Sequence, residues 1–445
     1  MPNNFAYIAL LLWPFIALFF YKRLPVLNAT FWTIVGGFLL LPVKTEIDFP
    51  FIPPLDKESI PIIAALIGCR YIKKVNVKLL PETGAARWLV LIFLLTPFIT
   101  TYNNQETYNF IPGLTLHDTI SAIIRQYIII LPFILGMQLV KTHKDQLLIF
   151  KLLVISALFY SVLILFEIRM SPQLHAWVYG FFPHNFGQQM RFDGFRSVAF
   201  LGHGLLVAMY IAIALGAASM LLKEKIKIKI LPPWLIILYF IILLLLAKTV
   251  GAFLLGMTLF AAIVWLPINI TKKIAITLMV MVATYPLLSI LDIFPHQKLI
   301  QLATSFDVAR GESLSFRFAQ EAQLLAHAQE KIFFGWGGWG RNRLATSITD
   351  GFWIITLGGY GLFGFVSMFG LAVLSVWKAV KCSNYLKGTN EQQIILYHAL
   401  VVSVIMVDQL PNASLSAWLF FIIGALLGRV NHVKFEHKRN NLRAI

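Results

Sequence analysis

The sequence predicts an all-α protein, a polytopic membrane helix bundle of about 12–13 transmembrane helices with a long helical outer loop. Three observations predict it. The 445 residues are 58% hydrophobic and only 13% charged, with a mean hydropathy of +0.77, more apolar surface than a soluble domain of this size can hide. Apolar runs of about 17–25 residues recur along the chain, the length that spans a bilayer core. The charged residues collect between those runs, with one sign dominating alternate loops.

Taken in order, the first crossing is 5–21. Its basic pair Lys22-Arg23 follows the apolar run instead of preceding it, unlike a cleaved signal. Crossings 27–43 and 58–72 are short and flanked by proline, so one of them is expected to be re-entrant or strongly tilted. Further crossings follow at 88–103, 119–140 and 147–167, then 197–222, 231–247, 249–269 and 274–292, and finally 351–377, 393–409 and 413–429. Thirteen crossings put the N-terminus outside and the C-terminus in the cytoplasm. The whole chain 1–445 reads as a single integral membrane domain with no visible repeat. Lesser outer loops lie at 44–57 and 104–118. Larger polar segments lie at 168–196 and 293–350, and the length of the latter marks it as functional. Cys69 and Cys382 are far apart and sit at the cytoplasmic side, and no CxxC or HxxxH spacing suggests a metal.

The net charge of +17 invites a nucleic-acid partner. Topology argues otherwise. Assigning loops to alternate sides puts about two thirds of the 37 Lys and Arg, but only about a quarter of the 20 Asp and Glu, on one side, as the positive-inside rule requires of the cytoplasmic face. The basicity orients the chain in the bilayer, and no nucleic acid is expected.

The outer segments carry the chemistry. Before the seventh crossing the chain reads Gln188-Gln189-Met190-Arg191-Phe192-Asp193-Gly194-Phe195-Arg196. Arg191 and Arg196 flank a glycine turn where the chain enters the bilayer, and their planar, permanently charged forks suit phosphate. Interfacial snorkelling, or pairing with Asp193, is the alternative. His203 is expected about two turns into that crossing, facing a cavity or packed with a satisfied imidazole. In the long loop, 313–331 reads as an amphipathic helix with Arg317, Glu321, Leu324 and Ala328 at turn spacing, able to lie on the outer leaflet with Arg317 inward. Arg317 and Glu321 are also spaced for an i,i+4 surface pair. Gly335-Trp336-Gly337-Gly338-Trp339-Gly340 satisfies G-x-G-x-x-G, but a dinucleotide site needs a strand before it and a βαβ unit around it. An aromatic-glycine turn at the membrane interface fits better, its Trp336 and Trp339 available to stack on sugars. Arg341 and Arg343 follow, and Asp350 opens the next crossing. Arg125, Lys248 and Asp408 are the remaining ionisable groups near crossings. Each reads first as a structural partner, although Arg125 facing the bundle could help hold an anion.

The order of these features is similar to a known family. The run Leu246-Ala247-Lys248-Thr249-Val250-Gly251-Ala252 opens a crossing. A long outer loop with Arg317 in a helix follows, then the glycine turn, then Asp350-Gly351-Phe352-Trp353 leading into a glycine-rich crossing. Over 185–375 the chain resembles the O-antigen ligase/polymerase superfamily of bacterial surface-polysaccharide assembly. The resemblance implies a multi-pass protein of the bacterial inner membrane. It also implies metal-independent, cofactor-free glycosyl transfer at the periplasmic face, from an undecaprenyl-pyrophosphate-linked oligosaccharide to an acceptor glycan. Polysaccharide export or chain-length-control proteins would be its partners besides the bilayer. Arg191, Arg196 and Arg317 match the family's arginine positions. His203, Arg310, Arg341 and Arg343 extend the substrate-binding set, as do the two tryptophans. Ligases of the family carry a histidine before the glycine-rich crossing, where this chain has Thr349-Asp350. Asp350 would then serve as the base, and the departure favours a repeat-unit polymerase of O-antigen or exopolysaccharide over a ligase acting on lipid A-core.

Two other classes compete. A membrane glycosyltransferase using first-loop acids would employ Glu46 and Asp48. A transporter or flippase of lipid-linked sugars would show paired repeats and discontinuous helices around a midplane site.

Overall fold

The computed structural model describes residues 1–49, 52–82, 84–191, 194–228, 231–344, 347–348 and 350–443. The chain opens with α1 (Asn4–Arg23) and α2 (Val26–Leu40), then a small antiparallel hairpin of β1 (Glu46–Phe49) and β2 (Ile52–Asp56), where Glu46 and Asp48 are exposed. It continues through α3 (Ser59–Ile67), α4 (Ala85–Tyr102), α5 (Leu116–Leu139), α6 (His143–Met170) and the short α7 (Leu174–Tyr179). A two-residue ladder, β3 (Met190–Arg191) with β4 (Gly194–Phe195), precedes α8 (Gly204–Lys223), α9 (Pro233–Leu246), α10 (Val250–Val264) and α11 (Ile268–Ile290). The long loop holds two helices, α12 (His296–Phe306) and α13 (Val308–Gln329), before α14 (Phe352–Cys382), α15 (Asn390–Asp408) and α16 (Ala417–Arg443) close the bundle.

Among the described residues nine helices are long and apolar enough to cross a membrane, and four shorter apolar helices, 26–40, 59–72, 233–246 and 250–264, accompany them. The protein is therefore a multi-pass membrane helix bundle, all-α but for its two small hairpins. Local signals set the helix ends. Pro25, Pro232 and Pro267 stand at the N-caps of α2, α9 and α11, where a fixed φ and a missing N–H cost nothing. At α6, Thr142 and Asp145 form a reciprocal capping box.

Helices α5, α8, α15 and α16 form the centre, with α8 buried along nearly its whole length. Lipid offers no hydrophobic drive between helices, so close packing must hold them. The α5–α16 crossing shows how. Gly136 of α5 faces the backbone of Phe421 and Ala425, and Gly424 and Gly428 of α16 face the carbonyls of Phe133, Met137 and Val140. A Cβ at any of these glycines would overlap backbone atoms.

Two expected crossings differ from the sequence-based expectation. The apolar run at 197–203 is not helical, and α8 begins only at Gly204, so His203 is the N-cap and not two turns inside. Helix α14 is broken at Gly361 (φ 65°, ψ −169°) into two segments.

Candidate functional site

The long loop folds back onto one end of the bundle through α13. Asp307 caps it, accepting from the Ala309 N–H at 3.1 Å. The observed helix begins and ends earlier than the expected 313–331, and α12, which the apolar pattern does not announce, precedes it. Arg317 reaches inward from α13. Its Nη1 donates to the Pro411 carbonyl at 3.0 Å and its Nε lies 3.8 Å from Asp350 Oδ2. The i,i+4 pair with Glu321 does not form. Glu321 turns towards α11 instead, where the Tyr285 hydroxyl donates to its Oε1 at 2.6 Å.

The second contributor is the 190–203 segment. The Arg196 amide donates to the Gln189 carbonyl at 2.8 Å, closing the ladder, and the charges of Arg191 and Arg317 both bear on Arg196. The non-helical stretch after Arg196, which turns over 198–201 with a positive φ at Ala199, is held by Glu167 of α6. One carboxylate oxygen accepts from Ser197 Oγ and from the Val198 and Ala199 amides at 2.6–3.0 Å, and the other accepts from the Leu174 amide at 3.0 Å. Those amides would otherwise be orphaned in an apolar setting. The Tyr160 hydroxyl accepts from the Phe200 amide at 3.0 Å and Lys57 donates to its carbonyl. This explains why 197–203 stays non-helical despite its apolar composition.

The result is a concentration of positive charge. Arg196 is buried, with Nη2 donating to Thr249 Oγ1 at 3.0 Å and Nε unpartnered. Burial first, then the Arg191 and Arg317 guanidinium groups, lower its pKa to about 10. Burial and the charges of Arg310 and Arg317 likewise lower Arg191. Burial lowers His203 to about 3, helped by Arg196, His184, Arg191 and Arg317. Its ring is therefore neutral at physiological pH, and Nδ1 accepts from the Leu205 amide at 3.1 Å. Lys248 adds a further cation, donating to the Arg191 carbonyl at 2.7 Å. Asp350 faces Arg317, and Asp307 lies 3.9 Å from Arg310 Nε. Asp193, the expected partner of Arg191 and Arg196, lies outside the described residues, as does Thr349. Guanidinium groups that depress one another's proton affinity store repulsion that a polyanion would relieve.

The remaining candidates lie elsewhere. Arg341 is fully buried, donating to the carbonyls of Glu106, Ile111 and Pro112, so it braces the 104–113 loop. Trp336 is buried as well, stacked on His327 (4.5 Å) and against Tyr108 (4.4 Å), with its Nε1 donating to the His327 carbonyl. Its faces are covered by protein and are not open to a sugar. Trp339 and Arg343 are exposed on the turn. The turn itself plugs the break in α14. The Trp336 and Gly337 amides donate to the Gly358 and Gly359 carbonyls, and the Leu362 and Phe363 amides donate to those of Ile332 and Phe333.

Sequence reasoning missed Glu167, while Asp408, read there as a structural partner, is one in the turn after α15. Glu167 closes an apolar run, a costly place for a carboxylate, which was the available signal. In the turn, Asp408 accepts from Asn412 and Ser414 and so shapes the Pro411 carbonyl for Arg317. No protein-family model and no curated protein matches this chain.

Proposed function

We propose that this protein is a glycosyltransferase of the bacterial inner membrane, working at the periplasmic face on an undecaprenyl-pyrophosphate-linked oligosaccharide and extending O-antigen or exopolysaccharide repeat units. Ligation of the glycan to lipid A-core is the alternative outcome of the same chemistry. The observation that carries the proposal is the mutual approach of Arg191, Arg196 and Arg317 at one end of the bundle. In the transfer, an acceptor hydroxyl attacks the anomeric carbon of the donor sugar. The bond from that carbon to the pyrophosphate oxygen breaks, and the leaving group keeps the electron pair. Fixed guanidinium groups stabilise the charge developing there, and the Asp350 carboxylate receives the hydroxyl proton. A transporter of lipid-linked sugars is favoured by one feature, the discontinuous helix α14.

Chain-length analysis of surface polysaccharide after Arg317→Ala separates these. Loss of long chains while single units are still exported supports a polymerase. Polymer accumulating on the lipid carrier supports a ligase. Loss of all exported units supports a transporter, and undiminished, normally attached long chains would sink every one of them.

A further inference from the structure

Between α11, α12 and α13 lies a cavity of about 420 Å³, within the size range of small-molecule sites. Its chemistry is opposite to that of the arginine cluster. No Lys or Arg lines it, whereas Asp292 and Glu321 do. Burial raises the Glu321 pKa and lowers that of His296. The Tyr285, Ser289 and His296 contacts of Glu321 fall on Oε1, at 2.6, 3.5 and 3.9 Å, and the Trp353 indole also approaches the carboxyl. Gln297 and Gln329 add groups that both donate and accept, and the Phe318 ring meets His296 edge-on at 4.6 Å. Such a lining repels anions and suits a ligand that offers hydroxyls to the carboxyl and carboxamides and an apolar ring face to an aromatic side chain.

Position links the cavity to the cluster. Glu321 follows Arg317 by one turn of α13, a rise of about 6 Å, and itself lines the cavity, as does Phe318, the residue next to Arg317. We propose that this cavity is the acceptor subsite, taking an uncharged, hydroxyl-rich sugar ring while the arginines hold the pyrophosphate. The proposal rests on the transferase reading and assigns it a second site.

Thiol protection tests it on the full chain in lipid nanodiscs. Ser315→Cys places a reactive group on the cavity wall with minimal change of shape, and the native Cys69 and Cys382 are buried. The probes are undecaprenyl pyrophosphate and the free oligosaccharide released by mild acid from the lipid-linked pool of the source bacterium. At about ten times its dissociation constant the oligosaccharide should slow maleimide labelling about tenfold, and Gln297→Ala or Glu321→Gln should abolish that protection. Undecaprenyl pyrophosphate should raise the melting temperature without protecting the thiol. Protection by the lipid pyrophosphate alone, or by neither probe while the lipid still raises the melting temperature, overturns the acceptor subsite and leaves the transferase standing. Failure of undecaprenyl pyrophosphate to stabilise the wild-type chain overturns the transferase reading and the subsite with it.

Discussion

Arg317 is held from two sides, by the Asp350 carboxylate and the Pro411 carbonyl, and a third of its side chain remains exposed (33%). That is the arrangement of a group fixed in direction yet open to a ligand. Arg317→Ala should lower the initial rate of polymer formation in isolated membranes by about 10²–10³-fold, the usual loss when one preorganised donor to a developing anion is removed, with expression unchanged. Arg317→Lys should recover little of it, since a point charge cannot span both partners and a phosphate oxygen. Arg341 gives the contrast. With Arg341→Ala, the 104–113 loop loses its hydrogen bonds to a buried guanidinium, each worth about 1.5–3 kcal/mol as a bond to a charged donor, while the Ile111 carbonyl keeps the Tyr108 amide. The expected result is a lower melting temperature, with unchanged affinity for undecaprenyl pyrophosphate in the protein that folds.

His203 links the same site to pH. Its pKa is about 3 in the folded chain against an ordinary 6.5, so the unfolded chain binds the extra proton first as pH falls. The stability contributed by the neutral ring is whole above pH 6.5 and is lost progressively between 6.5 and about 3. His203→Asn keeps an N-cap acceptor but cannot titrate. Melting temperatures measured from pH 7 to pH 4 should fall less steeply for this variant than for the wild type, and parallel curves would show that the ring is not held neutral.

At the scale of elements, the break in α14 depends on two glycines that meet. Gly361 has φ +65°, and a Cβ there would overlap the Phe333 carbonyl; a Cβ on Gly335 (φ +71°) would lie 2.6 Å from the Gly361 nitrogen. Overpacking and backbone strain each cost about 1–3 kcal/mol. Gly361→Ala should therefore destabilise the detergent-solubilised protein by about 3 kcal/mol or more in thermal unfolding. Gly335→Ala should cost a similar amount, and the double variant less than the sum, because both changes disrupt one contact.

For the whole molecule, the opposed charge of alternate loops and the nine long and four shorter apolar helices among the described residues, if all cross, predict termini on opposite sides of the membrane. Green fluorescent protein fused after residue 440 should fluoresce, and alkaline phosphatase inserted near residue 300 should be active. The reverse pattern would move the arginine cluster to the cytoplasm and remove the periplasmic reaction.

Much of this protein is legible in its sequence, and the limits have particular physical causes. Apolar run lengths set the bundle, since every backbone group in lipid must be satisfied within a helix. The turn-spaced pattern around Arg317 announced α13, and Arg191 and Arg196 stood out because they flank a glycine turn where the chain enters a crossing. Four features came only from contacts distant in sequence. The stretch 197–203 is as apolar as a helix, and it stays non-helical because Glu167, some 30 positions earlier, takes its amides. The break at Gly361 is indistinguishable from its glycine neighbours until the 332–337 segment is packed against it. Glu321 abandons its helical neighbour for Tyr285 on another helix. Arg341 resembles Arg317 in charge and in loop, and only the carbonyls facing it make one a brace and the other a candidate ligand-holder. Length, hydropathy and charge alternation are properties of the chain read along itself, so the sequence alone determined the helix bundle and gave its orientation as an expectation. Which cation stays open to a ligand depends on what folds opposite it, and that was decided by tertiary structure alone.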